Sequence, residues 1–340
     1  MRRVNIPKAD GKTRPLGIPT VKDRVAQMAA VIVLEAIFEA DLTDEQYAYR
    51  PKRSAHDAVR EVHRLLNRGY TEVVDADLSS YFDTIPHHEL MQSVARRVSD
   101  RAMLALVKSW LEMPVEEDDG KGNKRRTTVN KDSGRGTPQG ARISPLMANL
   151  YMRRFLLGWK QQGWDRKLQA HIVNYADDFV ILCRNRAEEA RRRMEIMMQK
   201  LKLTVNQQKT RICRVPVESF DFLGYTLGQC HRAKTGKAYI GTRPSKKRVV
   251  RLCGKISEMT RRQTCGRETE EVVGELNLVL KGWANYFRLG SVSKAYRAVD
   301  RHTRNRLRRC CAENTRLRVA ERTGSSRHFD QVSWFGWSIL

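Results

Sequence analysis

The sequence predicts an α+β chain, with antiparallel strands and helices mixed over residues 1–242 and an all-helical segment over residues 243–340. Three stretches predict it. Thr71–Leu78 is rich in β-branched residues, and its period of two sets Val73, Asp75 and Asp77 on one face and Val74, Ala76 and Leu78 on the other. Ile172–Leu182 is an apolar run whose acidic residues, Asp177 and Asp178, fall where a tight hairpin turn belongs. Beyond about residue 243 the pattern turns helical, in blocks at 245–262, 268–288 and 293–312.

The elements follow in order. Residues 4–19 are basic and turn-rich, with Pro7, Gly11, Pro15, Gly17 and Pro19, which suits extended segments or a hairpin. Thr20 and Asp23 form a capping box for a helix whose face is Val25, Met28, Ala29, Ile32 and Ala36. Ser54 and Asp57 open a second helix that stops near Gly69. Residues 115–136 are polar and glycine-containing, an exposed loop or hairpin. A Gly-Thr-Pro-Gln-Gly loop from Gly136 leads to a helix with Ser144 as its N-cap and Pro145 at its first position. A basic helix over 186–202 precedes Asn206, Lys209 and the apolar segment Phe220–Leu227. In the last helical block Arg301, Arg304 and Arg308 recur at spacings of three and four, forming one charged face.

Composition narrows the class of partner. The chain holds 64 Lys/Arg against 38 Asp/Glu, a net charge of +26. Residues 231–340 hold 25 and 9 of these, a net of +16. Such an excess favours a polyanion, since each phosphate neutralised releases condensed counterions, although an anionic membrane surface fits charge alone equally well. No run approaches the ~20 apolar residues of a membrane span. The seven cysteines form no C-x-x-C pair, which suits reduced thiols in an intracellular, cytoplasmic protein.

Two adjacent carboxylates at an apolar hairpin repel each other and lose hydration, a cost that a divalent cation removes. Hard oxygen ligands suit Mg²⁺, and Asp77 on a neighbouring strand would complete a site for two ions about 3.5–4 Å apart. Taken alone, Asp177-Asp178 is equally a surface turn, Asp77 a strand-end cap and Asp75 a satisfied structural carboxylate.

A set of motifs decides between these readings. Tyr175-Ala-Asp-Asp178 resembles the signature of reverse transcriptases, and its surroundings resemble the group II intron-encoded branch. Pro7–Thr20, Tyr49–Ser54 and Val74–Asp83 resemble that branch's first, second and third blocks. Gly136–Pro145, Leu203–Thr210 and Phe222–Gly224 resemble the fourth, sixth and seventh, and Leu280–Phe287 resembles the thumb, or maturase, segment. The resemblance implies a right-hand polymerase, with fingers at about 1–70 and 84–145, an antiparallel palm sheet carrying the acids, and an α-helical thumb. It implies an RNA-directed DNA polymerase that uses two Mg²⁺ ions, with Mn²⁺ able to substitute, and takes an RNA template, a DNA primer and dNTPs. It also implies binding of intron RNA as a splicing maturase in a bacterial ribonucleoprotein, in support of retrohoming.

Residue by residue, the resemblance gives Asp77, Asp177 and Asp178 the metals. Lys8 and Arg14 would meet the triphosphate, a point charge beside a two-oxygen fork. Phe82 would exclude a ribose 2′-hydroxyl, and Gln139 would contact the incoming nucleotide with an amide that both donates and accepts. Lys209 would approach the reactive phosphates. Arg50 would touch template, with a helix-flanking salt bridge as the alternative. Gly224 would let backbone come close to the primer, and Arg301, Arg304 and Arg308 would hold the nucleic-acid backbone. Trp283, Tyr286 and Phe287 read as thumb core rather than as a stacking platform.

Two other functions fit the same motifs. One is an RNA-binding maturase whose polymerase activity is secondary, and the other a CRISPR-associated or defence reverse transcriptase. Relative to the family, the chain opens directly on the first block, without the usual N-terminal extension, and lacks the Cys/His endonuclease module.

Overall fold

The computed structural model describes residues 1–7, 13–118, 124–232, 234–261, 263 and 267–323. It divides into two compact units, Met1–Val215 and Pro216–Leu340. In the first, the order is β1 (Arg2–Pro7), β2 (Thr13–Ile18), α1 (Val21–Glu39), α2 (Ala55–Asn67), β3 (Glu72–Asp77), α3 (Tyr81–Thr84), α4 (His87–Ala95) and α5 (Arg101–Leu111). Then come β4 (Val115–Asp118), β5 (Lys124–Thr127), α6 (Val129–Ser133), α7 (Ser144–Gln161), α8 (Trp164–Lys167), β6 (Ala170–Tyr175), β7 (Asp178–Cys183), α9 (Ala187–Lys200) and β8 (Arg211–Arg214). The second unit holds β9 (Phe220–Phe222), β10 (Tyr225–His231), β11 (Ala238–Pro244), α10 (Lys246–Met259), α11 (Thr269–Tyr286) and α12 (Ser293–Thr323).

A four-stranded sheet in the order β6-β7-β3-β8, antiparallel throughout, organises the first unit. One face presents Val74, Ala76, Ile172, Phe179 and Ile181 to a core shared with Phe155 and Trp159 of α7 and Met194 and Met198 of α9. Burying side chains of this size stabilises by roughly 1.5–3 kcal/mol each. The opposite face carries Val73, Asp75 and Asp77 in alternation, and α2 packs on β6 and β7. The free edge of β6 is closed by residues 45–47: Asn174 N–H donates to the Glu45 carbonyl (2.8 Å), and Tyr47 N–H donates to that of Asn174 (3.0 Å). A second sheet, β2-β1-β4-β5, joins the basic N-terminal hairpin to β4 and β5.

Capping follows the sequence at two helices and departs from it at a third. Ser54 and Asp57 make a reciprocal capping box, and the Thr20 hydroxyl accepts from Asp23 N–H. Ser144, however, is the first helical residue rather than the N-cap, and its hydroxyl donates to the Pro138 carbonyl at 2.9 Å. The helix start is buried against its own loop, so the hydroxyl satisfies that carbonyl instead. The predicted face of α1 is also inverted. Gln27, Ala30, Leu34 and Phe38 are buried, whereas Val25, Met28 and Ile32 are exposed.

In the second unit β9, β10 and β11 form an antiparallel sheet, and α10, α11 and α12 share a core of Leu252, Ile256, Val272, Leu276, Leu280 and Val299. Among the described residues, no helix is long and apolar enough to cross a membrane.

Candidate active site

The acids are set by strand register. Asp77 closes β3 directly opposite Asp178, the first residue of β7. Residues so placed hold their Cβ atoms about 4.5–5.5 Å apart. Tyr175 pairs with Asp178, so Ala176 and Asp177 alone make the β6–β7 turn. That turn needs Ala176 in the left-handed region, at φ 59°, which costs a non-glycine residue on the order of 1 kcal/mol. The buried Asn174 amide holds it there by donating to the Ala176 carbonyl at 2.8 Å. All three carboxylates therefore project from one end of one sheet.

Their electrostatics are those of a site short of positive charge. The Asp178 carboxyl is pushed up to about 6. Desolvation by the surrounding protein is the main cause, although the side chain keeps an exposed edge, and the charges of Asp177, Asp77 and Asp75 add to it. Lys209 opposes them, its Nζ lying 3.2 Å from Asp77 Oδ2. Asn206 N–H donates to the Asp77 carbonyl at 2.8 Å, and Asp77 N–H donates to Thr210 Oγ1 at 3.3 Å, so the 203–210 segment is docked on the end of β3. Arg211 lies 3.6 Å from Asp75, which makes the latter a paired structural carboxylate. Among the described residues, no three His, Cys, Asp or Glu side chains converge tightly enough to hold a metal ion by themselves.

Gln139 stands on a loop tied down from two sides. Its Nε2 donates to both Asp83 oxygens at 3.0 and 2.9 Å. Its carbonyl accepts from Gly17 N–H of β2 at 2.6 Å. Gly140, at φ 105°, lies so close that a Cβ there would sit 2.6 Å from the Gly17 carbonyl oxygen. Thr137 N–H donates to the Phe82 carbonyl at 2.6 Å, and the buried His87 ring is hydrogen-bonded to the Gly136 carbonyl at 2.7 Å. Phe82 is itself buried, edge-on to Tyr81, whose phenol is held far above its usual range by burial and by the charges of Tyr151 and Asp177. Asp83 and Gly17 are the residues here that motif reading passed over. Both lie within quoted motifs, but only folding reveals what they hold.

The remaining candidates divide. Lys8 lies outside the described residues, and Arg14 is placed only by its backbone, opposite Ile6 in the β1–β2 hairpin. The Arg50 side chain is 5% exposed and fully engaged. It grips Glu39 with both Nε and Nη2, the latter at 2.7 Å, and donates to the Thr43 and Gln46 carbonyls at 2.6 and 3.0 Å. This geometry is that of the helix-flanking salt bridge. Leu223 and Gly224, at φ 51° and 83°, form the two-residue β9–β10 turn, and Tyr286 Oη donates to the Leu223 carbonyl at 2.9 Å. Trp283, Tyr286 and Phe287 stack with Tyr225 and Tyr296 as core. Arg301, Arg304 and Arg308 lie exposed along α12.

Comparison with known proteins gives a consistent family. Residues 6–227 match the model described as reverse transcriptase (RNA-dependent DNA polymerase), and residues 249–324 match the group II intron, maturase-specific domain. Similar proteins include protein YkfC of Escherichia coli (strain K12), 34% identical over 66% of this chain and 66% of that protein. The group II intron-encoded protein LtrA of Lactococcus lactis subsp. cremoris is 34% identical over 51% of this chain and 28% of its own length. The chain thus spans less than two thirds of either relative. Among solved structures, telomerase from Candida albicans in complex with a fragment of telomeric RNA aligns with a TM-score of 0.53 over 92% of this chain and 59% of that chain, at 13% identity. That likeness is one of fold.

Proposed function

Because this chain belongs to the reverse transcriptase (RNA-dependent DNA polymerase) family and carries a group II intron maturase-specific domain behind the polymerase match, we propose that it is an RNA-directed DNA polymerase of the group II intron type. In this reading it copies RNA from a DNA primer with dNTPs, and it holds intron RNA in the cytoplasm as a splicing maturase that supports retrohoming. Residues 1–242 serve as fingers and palm, and 243–340 as the thumb.

One observation carries the proposal: Asp77 faces Asp178 across adjacent strands, with Asp177 in the turn beside them. A cluster in which desolvation, and after it the neighbouring carboxylate charges, raises one carboxyl to about 6 is stabilised by divalent cations, so the donor set fits Mg²⁺. When bound, two such ions supply charge compensation for the attacking 3′-oxygen and the departing pyrophosphate. Asp77, Asp177 and Asp178 would hold them. Lys209, paired with Asp77, would swing toward the reactive phosphates, and Lys8 and Arg14 would grip the triphosphate. Gln139, braced by Asp83 and Gly17, would position the incoming nucleotide. Phe82 would present its ring edge under the sugar, where a 2′-hydroxyl does not fit. Arg50 acts only indirectly, by fixing the loop it locks, and Gly224 keeps the β9–β10 turn tight beside the primer.

Primer extension on an RNA template with dNTPs and Mg²⁺ tests the reading, beside an Asp177→Ala variant. Product from the parent and at least ~10³-fold less from the variant is expected, since the metal term is worth several kcal/mol. Equal product from both refutes it. The maturase half rests on Arg301, Arg304 and Arg308 and on the net +16 of residues 231–340. Neutralising Arg304 and Arg308 should weaken RNA binding and flatten its salt dependence while leaving polymerisation at saturating template intact.

A further inference from the structure

Asn174, near the end of β6, is a polar side chain where an apolar one would serve the fold better. It is 1% exposed. Its Nδ2 donates to the Ala176 carbonyl at 2.8 Å, and because that partner can only accept, the orientation of the amide is fixed. Its Oδ1 is buried and meets no donor among the described residues. An unmatched buried acceptor costs more than a typical hydrogen bond contributes, so the amide lowers stability on balance. What it supplies is geometry. Ala176 stands at φ 59°, a conformation that alanine does not hold by its own preference.

The base of the amide is held as firmly as its tip. The backbone of Asn174 is bonded on both sides, to the Glu45 carbonyl at 2.8 Å and to Tyr47 N–H at 3.0 Å. Between these two, the fully buried Gln46 donates through Nε2 to the Asn149 carbonyl of α7 at 2.9 Å, and Asn149 Nδ2 donates to the Ala48 carbonyl at 2.8 Å. Buried amides thus tie the acidic turn to residues 45–48 and to α7.

We propose that Asn174 is a positioning residue for the acids: its amide keeps Ala176 in the left-handed region, so that Asp177 and Asp178 are presented together with Asp77. The proposal rests on the reading of those three as the metal ligands. Groups that orient metal ligands from the next layer out are typically worth 10–100-fold in metal affinity or activity.

Two variants of the full chain test it. Asn174→Leu keeps the number of side-chain heavy atoms while removing both the bond and the unmatched acceptor, and Asn174→Ala does so without overpacking. Mn²⁺ binding without nucleotide is followed by the EPR signal of the free ion, beside single-nucleotide insertion on a primed RNA template. Both variants should bind Mn²⁺ at least ~10-fold more weakly, and kcat should fall ~10–100-fold with the KM for dNTP within about 3-fold of the parent's. Without divalent ions, Asn174→Leu should melt within about 4 °C of the parent. Adding Ala176→Gly to Asn174→Leu should recover at least ~5-fold in Mn²⁺ affinity, because glycine takes positive φ freely. Asp177→Ala, run alongside, separates the two readings. If it binds Mn²⁺ and inserts nucleotide like the parent, the acids are not the metal site and both readings fall. If it is defective while both Asn174 variants match the parent, this proposal alone is overturned. The same holds if Ala176→Gly recovers nothing, or if both Asn174 variants melt far below the parent, which would make the amide a prop for the fold.

Discussion

Substituting Gly140 with alanine would separate backbone approach from side-chain chemistry at the loop that carries Gln139. The added Cβ would meet the Gly17 carbonyl oxygen at 2.6 Å and a Leu16 methyl at 3.0 Å, where ordinary contact begins at 3.4 Å. The loop and β2 must therefore part by roughly 0.8 Å, in a backbone conformation, φ 105°, whose strain for alanine adds about 1–3 kcal/mol. The same movement pulls apart the 2.6 Å hydrogen bond between Gly17 N–H and the Gln139 carbonyl. A misplacement near 1 Å costs on the order of 10²-fold in rate. Single-nucleotide insertion on a primed RNA template should accordingly show kcat/KM for the dNTP reduced ~100-fold, about 2.7 kcal/mol of transition-state stabilisation. Gly134→Ala is the control. It also has positive φ, at 61°, but nothing lies within 4 Å of its Cβ position, so it should lose about 1 kcal/mol of stability and keep kcat/KM within roughly 3-fold. Equal losses from the two variants, or a Gly140→Ala enzyme that inserts like the parent, would refute the reasoning.

Two further outcomes follow from the geometry. Arg50→Ala should destabilise the first unit by roughly 3 kcal/mol, since it strands Glu39 and frees two carbonyls that the guanidinium now satisfies; urea melts read this, and unchanged stability with weakened template binding would return Arg50 to the nucleic-acid surface. For Asp178, the folded carboxyl binds its proton more tightly than the unfolded one. Its contribution to stability is thus fully favourable below the unfolded value near 4 and is lost as pH rises through about 6. Without divalent ions, the parent should lose stability relative to Asp178→Asn between pH 4 and pH 7. Melting curves for the two that run parallel across this range would show the carboxyl to be unperturbed.

Much of the site was legible because its chemistry restricts residue type. Carboxylates on an apolar strand and in an apolar turn have few uses, and Thr71–Leu78 with Ile172–Leu182 announced β3 and the β6–β7 hairpin. What failed to show was choice between equals. Helix α1 has two apolar stripes, and periodicity cannot say whether Leu34 and Phe38 or Val25 and Ile32 face inward. The edge strand β8 reads Arg-Ile-Cys-Arg, too short and too charged to announce itself, and β11 carries Gly241 and Pro244, which usually argue against a strand. Ser144 had the right residue type for a cap but a better partner in Pro138. Asp83 was visible without its role, because the bond to Gln139 spans 56 positions in sequence.

The pairing of Asp77 with Asp178 also governs how this protein can change over time. The rows that align these two acids align Val74 with Ile181 as well, and that second pair faces α7 and α9. A slip of one residue that turned β3 over would send Asp75 and Asp77 towards α7 and α9 and take Val74 and Ala76 out of that core. Alignment of the acids and interior packing are therefore inherited together. Insertions in Ala176-Asp177 would be removed by selection for folding before activity was ever at stake.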